Sequence, residues 1–203
     1  MNTFALSLLA AALAAPLTPT QPATAPGSAP CCTPLAADRP LTARSLYHAD
    51  ATFTSDAGRA TMLAQFRGRP VVVAMIFTQC SYACPLIVTD LLALQARLPE
   101  KLRRDTAFVL VSFDTARDTP AALARYRTAR ALDGNWTLLH GNDHAVRELA
   151  ALLGVKYQPE PGGGFAHSNL FTLLNREGEV AHRRNGLKGG LDEALVALTA
   201  LSP

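Results

Sequence analysis

The sequence has no block of basic residues and few aromatics. Its 19 Lys and Arg stand against 16 Asp and Glu, a net charge of +3 over 203 residues, and they are scattered along the chain. Aromatics make up only 6% of the residues and nowhere interleave with a basic stripe, so the pattern offers no nucleic-acid surface. No internal repeat is visible. Long apolar runs are missing too, with one exception at the N-terminus. Phe4 to Ala15 is apolar but too short to span a bilayer. It fits the apolar region of a secretory signal, with Ala12-Leu13-Ala14 as a small-x-small cleavage site, although the usual positive residues before it are absent. Residues 1–15 are therefore expected to be a signal peptide, with an uncleaved, membrane-associated N-terminal anchor as the alternative. The protein is expected to be exported, in the periplasm or facing it from a membrane.

Residues 16–42 are poor in large apolar side chains and rich in Pro, Ala, Thr and Ser. Such a stretch cannot bury enough surface to order itself and reads as a linker. It contains Cys31-Cys32. A lipoprotein site is excluded because Pro30 stands where a small residue is needed. Adjacent cysteines can form only a strained disulfide, so the pair reads as exposed tail thiols, with an accessory soft-metal or thiol-exchange site as the alternative.

The remaining residues, 43–203, are organised around one stretch. Val71 to Phe77 has no polar residue, as in a central strand buried on both faces. Thr78 follows, then Cys80-Ser81-Tyr82-Ala83-Cys84-Pro85 and a helical apolar pattern, Leu86, Ile87, Leu91, Leu94 and Leu98. Proline suits a first helical turn, where its missing N–H has no intrahelical partner. Both sulfurs thus fall at or just before a helix N-terminus, whose partial positive charge favours thiolate over thiol.

Around this centre, Ser45–Tyr47 and Ala51–Thr54 read as short strands, and Met62, Leu63 and Phe66 as one helical turn. Ala107–Phe113 and Trp136–Leu139 read as further strands. A helix is expected from Thr119-Pro120 to about Leu132, and another from Asn142 or Asp143 to Leu153, stopped by Gly154. Gly162-Gly163-Gly164 reads as a flexible loop, Asn169–Leu174 and Glu179–Arg183 as a hairpin, and Leu191–Leu201 as a final helix. This order of elements is an α/β, thioredoxin-like arrangement: a central mixed sheet flanked by helices, with an N-terminal extension.

Thioredoxin-type enzymes place two residues between their cysteines, whereas here there are three. A redox disulfide remains geometrically open. The wider loop also lets both sulfurs point at one external atom. Two soft thiolates suit Cu(I), and Cu(II) when a nitrogen joins them; structural zinc ordinarily wants four protein ligands. A plain structural disulfide is the bland alternative in an exported protein, but a bridge this short constrains little chain entropy. Of five histidines, His167 directly precedes the strand Asn169–Leu174, and in a thioredoxin-like layout that position lies against the cysteine-bearing helix. His48, His140, His144 and His182 read as surface or hydrogen-bonded residues. Asp114 and Asp118 read first as turn and capping residues that could also shape the site.

These motifs resemble the SCO/SenC family. Phe77-Thr78 with Cys80-x-x-x-Cys84-Pro85 is similar to its signature. Val111-Ser112-Phe113-Asp114-Thr115-Ala116-Arg117-Asp118-Thr119-Pro120 looks like its second block, and Phe165-Ala166-His167-Ser168 followed by Asn175-Arg176-Glu177-Gly178 like its third. The resemblance covers about residues 45–200. It implies copper bound by Cys80, Cys84 and His167, and a role delivering copper to, or reducing cysteines of, the binuclear copper centre of cytochrome c oxidase. Three departures stand out: Ala166 replaces a usual acidic residue, Thr115 a usual proline, and the helix after Pro85 and the tail cysteines diverge from the family pattern. The missing acid removes one group that could orient His167.

Two functions follow. One is a metallochaperone that passes copper to the copper-centre subunit of cytochrome c oxidase or to another copper protein. The other is a thiol–disulfide oxidoreductase in which Cys80 attacks and Cys84 resolves, served by a thiol reductant. A peroxiredoxin-like enzyme is disfavoured, because no clear Thr-x-x-Cys placement with a distal resolving cysteine is present.

Overall fold

The structure is a computed structural model and describes residues 40–201. The expected signal segment and residues 16–39 of the expected linker, Cys31-Cys32 included, lie outside the described residues. The centre of the fold is β3 (Val71–Ile76), six residues buried without exception. Its five large apolar side chains at about 2 kcal/mol each supply on the order of 10 kcal/mol of burial. It pairs in parallel with β4 (Ala107–Ser112) on one side and antiparallel with β8 (Leu170–Leu174) on the other. Outward from β4 come β5 (Trp136–His140), β1 (Thr52–Ser55) and β2 (Ala60–Met62); outward from β8 comes β9 (Val180–Asn185). The result is a seven-stranded mixed sheet in the order β2-β1-β5-β4-β3-β8-β9.

Helix α1 (Ala83–Arg97) follows β3 and packs with α5 (Leu191–Thr199), which also lies against β8 and β9, while α3 (Pro120–Ala129) packs on β5. Phe108 and Trp136 stack at 4.9 Å in the core, and the indole N–H donates to Gln95 Oε1 at 2.9 Å. Thr119 caps α3 through the Ala122 N–H, with Pro120 at the first position. Asn142, rather than Asp143, caps α4 (Asp143–Leu153), which ends at Gly154 in the left-handed region.

Several local expectations change. Ser45–Tyr47 is not a strand; Leu46–His48 is a 3-10 turn, because the Ser45 hydroxyl accepts the Tyr47 N–H and diverts the backbone. Helix α1 starts two residues before Pro85, leaving proline in its first turn. Helix α3 stops at Ala129 because Ala131 takes a positive φ and Leu132 folds back into the core. A short helix, α2 (Glu100–Asp105), follows Pro99. The triple glycine lies in a turn between two short strands that the sequence does not suggest. It turns a two-stranded hairpin of β6 (Tyr157–Pro159) and β7 (Phe165–His167), closed by the Glu160 N–H to Gly164 O at 2.9 Å and the Gly163 N–H to Glu160 O at 3.1 Å.

Register brings the site together. Phe171 lies opposite Ala74, so β8 begins beside the C-terminal end of β3. The segment entering β8 therefore runs past the loop leaving β3, and His167 reaches the cysteines across 83 residues of sequence.

Candidate metal centre

The cysteine loop is anchored at its first residue. Asp118, fully buried, accepts from the Thr78 N–H at 2.8 Å, the Thr78 hydroxyl and the Ser112 hydroxyl. This carboxylate ties the exits of β3 and β4 together. It is more than the capping residue the sequence suggests. Asp114 is a turn residue in part, since its carboxylate accepts the Arg117 N–H at 3.2 Å, but it also pairs with the Arg117 guanidinium.

Tyr82 precedes α1 as its cap residue and gives no side-chain hydrogen bond. The Cys80 sulfur takes that place, accepting the Cys84 N–H at 3.3 Å. Burial raises the Cys80 thiol, but the Cys84 and Tyr82 N–H groups, the Cys84 thiol and the Ala83 N–H outweigh it and leave its pKa lowered. Cys84 goes the other way. Desolvation pushes its thiol far up, against one backbone hydrogen bond from Phe77 and with the Cys80 charge adding to the rise. The expected helix-terminus effect thus holds for Cys80 and is overridden by burial at Cys84.

His167 Nδ1 faces the Ser168 carbonyl at 3.1 Å, so its N–H is spent there and the Nε2 lone pair is left toward Cys84 Sγ, 3.7 Å away. A backbone carbonyl therefore does the orienting that no carboxylate at position 166 can supply. The ring is held edge-on to Phe77 at 6.1 Å and against Phe113 at 5.1 Å, and both phenylalanines also pack on Phe165.

The ligand atoms of Cys80, Cys84 and His167 all lie within 4.8 Å of one another, and among the described residues these three are the grouping of that kind. An ion bound to thiolate and imidazole at about 2.0–2.3 Å holds such atoms roughly 4 Å apart, so the set fits one ion. Two thiolates and an imidazole suit a soft transition metal. The cluster opens on a cleft of about 430 Å³ whose walls include Tyr82, Arg117 and Phe165. The other four histidines stay outside: His48 Nε2 meets the Thr42 carbonyl at 2.9 Å, His140 and His182 lie on β5 and β9, and His144 on α4. Sequence reasoning did not find Arg117 as a site residue. Its only signal was membership of the Val111–Pro120 block.

Fold and cluster together define a thioredoxin-like domain with a thiolate–imidazole centre. The sequence model of the SCO1/SenC family matches residues 40–198, and the chain belongs to that family. It is 30% identical over 135 residues to a Stutzerimonas stutzeri protein named for copper binding, covering 64% of this chain and 65% of that protein's length. It is 27% identical over 141 residues to the SCO1 homologue of Bacillus subtilis, 68% of this chain and 72% of the other. Among solved structures, it superposes on apo Sco1 of Thermus thermophilus with a TM-score of 0.63 at 28% identity, covering 75% of this chain and 90% of that one. Copper-bound ScoI of Bradyrhizobium japonicum gives 0.62 at 22% identity, with 75% and 97% covered, and shares the fold.

Proposed function

We propose that this protein binds copper as cargo between Cys80, Cys84 and His167 and hands it to an exported copper protein, with the binuclear copper centre of cytochrome c oxidase as the recipient. The observation that carries the reading is the S₂N set within 4.8 Å at the mouth of an open cleft. A three-ligand site lets an incoming thiolate add before a resident ligand leaves. Membership of the family, and relatives named for copper, support the metal. Export through residues 1–15, to the periplasm or its membrane face, is part of the same proposal.

The test is titration of the reduced protein with Cu(II) and Cu(I). One equivalent of Cu(II) is expected, with thiolate-to-copper absorption and nitrogen coupling in its electron paramagnetic resonance spectrum. Cys80→Ser and Cys84→Ser abolish tight binding of both ions. His167→Ala weakens Cu(II) much more than Cu(I), because two thiolates suffice for the softer ion. Equal weakening of both ions would remove His167 from the ligand set.

The second reading, a thiol–disulfide oxidoreductase, is favoured by the asymmetry of the pair. A partly exposed Cys80 with a lowered pKa is suited to attack, and a buried Cys84 to resolve. The Cys80 thiolate would open a partner disulfide to a mixed disulfide. Cys84 would then release the reduced partner, leaving a Cys80–Cys84 disulfide for an external thiol reductant to restore. Rapid oxidation by Cu(II) with no stable complex would favour this reading.

A further inference from the structure

Arg117 touches the segments that carry both halves of the cluster. Its Nε pairs with Asp114, its Nη1 donates to Gln79 Oε1 at 3.4 Å, its Nη2 donates to the Gly163 carbonyl, and its Cζ stands 5.9 Å over the Phe165 ring. Gln79 is the neighbour of Cys80. Gly163 and Phe165 belong to the hairpin that ends in His167. Asp114 is fixed at the exit of β4, where its N–H donates to the Ser112 hydroxyl at 3.0 Å. One guanidinium therefore connects the cysteine loop, the sheet and the histidine hairpin.

The hairpin needs such a connection. β6 and β7 pair with each other as a separate two-stranded sheet and share no ladder with the seven-stranded one. Side chains hold it in place: the ring contacts of Phe165 and Tyr157 with Phe77 and Phe113, and Arg117. Arginine's planar fork can serve several acceptors at once, which a lysine ammonium on a flexible stem does less rigidly. The acceptor on the hairpin is matched to it. Gly163 has φ +83°, and a Cβ there would stand 3.1 Å from Arg117 Nη1, so the carbonyl is offered at this point because the residue is glycine.

We propose that Arg117 is a positioning residue that latches the β6–β7 hairpin over the cysteine loop and thereby keeps His167 Nε2 within reach of the two sulfurs. The inference builds on the proposed S₂N copper site. It adds that the third ligand sits on a hairpin outside the main sheet, whose seating at the site Arg117 sets.

The experiment uses the full chain with Arg117→Met, which keeps the stem and loses the donors, and Gly163→Ala, which disturbs the same contact from the hairpin side. In the reduced, metal-free protein, amide hydrogen exchange across residues 157–167 is expected to rise about tenfold in both variants, with β3 and β4 unchanged. In Arg117→Met, Cu(II) binding is expected to weaken about tenfold with loss of nitrogen coupling, while Cu(I) stays within about twofold. Unchanged exchange in both variants, or equal weakening of Cu(I) and Cu(II), overturns the proposal. If the wild-type Cu(II) complex shows no nitrogen coupling, it is the His167 assignment that fails. The exchange arm then decides alone: acceleration confined to the hairpin upholds the latch, and its absence overturns it.

Discussion

Cys80 and Cys84 carry the same thiol in opposite surroundings. Cys80 is half-buried and caps α1 with its sulfur; Cys84, the second residue of the helix, is sealed into the core. Hydrogen bonds from N–H groups stabilise a thiolate at the first, whereas desolvation disfavours one at the second. With iodoacetamide near neutral pH, Cys80 is expected to react more than about tenfold faster than Cys84, with a rate that levels off below the ordinary thiol value of about 8.5. Equal rates would contradict the environments described. The asymmetry serves either function, since a metal lowers the barrier to ionising Cys84 by binding it, and a mixed disulfide at Cys80 brings Cys84 its electrophile.

Among the elements, the loop between β3 and α1 depends on a residue 40 positions away. Asp118 accepts three hydrogen bonds, two from Thr78 and one from Ser112, in a place with no solvent to replace it. Asp118→Ala leaves those donors unpaired at about 1–3 kcal/mol each, partly relieved by rearrangement, so a loss of roughly 3 kcal/mol is expected in urea unfolding. Asp118→Asn, which retains one acceptor oxygen, should lose less. A midpoint unchanged by the alanine variant would show that the carboxylate does not anchor the loop. The hairpin of β6 and β7 was hidden from sequence reading for a related reason. Its strands are three residues each, too short for periodicity, and their turn looks like an unstructured glycine run.

At the scale of the whole molecule, two buried tyrosines join the buried Cys84 thiol in weakening the reduced protein in alkali. Burial, with Glu177 adding to it and Arg67 opposing, pushes the Tyr47 hydroxyl far above its usual value. Tyr126 is pushed up to about 12, first by burial, with Arg130 opposing and the sulfurs and Asp118 adding to the rise. A raised folded-state pKa contributes stability below the unfolded value of about 10, lost as pH climbs past it, because the unfolded phenol ionises while the folded one stays neutral. Denaturant midpoints should therefore fall from about pH 8.5, where the unfolded Cys84 thiol ionises, and further above about pH 10, where the unfolded tyrosines do. Tyr47→Phe should flatten that fall without loss at neutral pH, since the Tyr47 hydroxyl has no hydrogen-bond partner. A slope indifferent to Tyr47→Phe would place the alkaline loss elsewhere.

What the sequence determined by itself is local: an uninterrupted apolar β3, a cysteine spacing at a helix start, the Thr119-Pro120 cap, a helix start at Asn142 or Asp143, and three motifs in family order. Each is a matter of residues close together in the chain, where periodicity, caps and turns have a direct physical meaning. Tertiary structure decided the rest. Burial reversed the Cys84 pKa, register brought His167 to 3.7 Å from Cys84, and a side-chain turn made Ser45–Tyr47 something other than a strand. Arg117 and Asp118 acquired their roles the same way. Desolvation, long-range pairing and hydrogen bonds between distant segments depend on what the fold packs around a residue, and nothing adjacent in the chain encodes that.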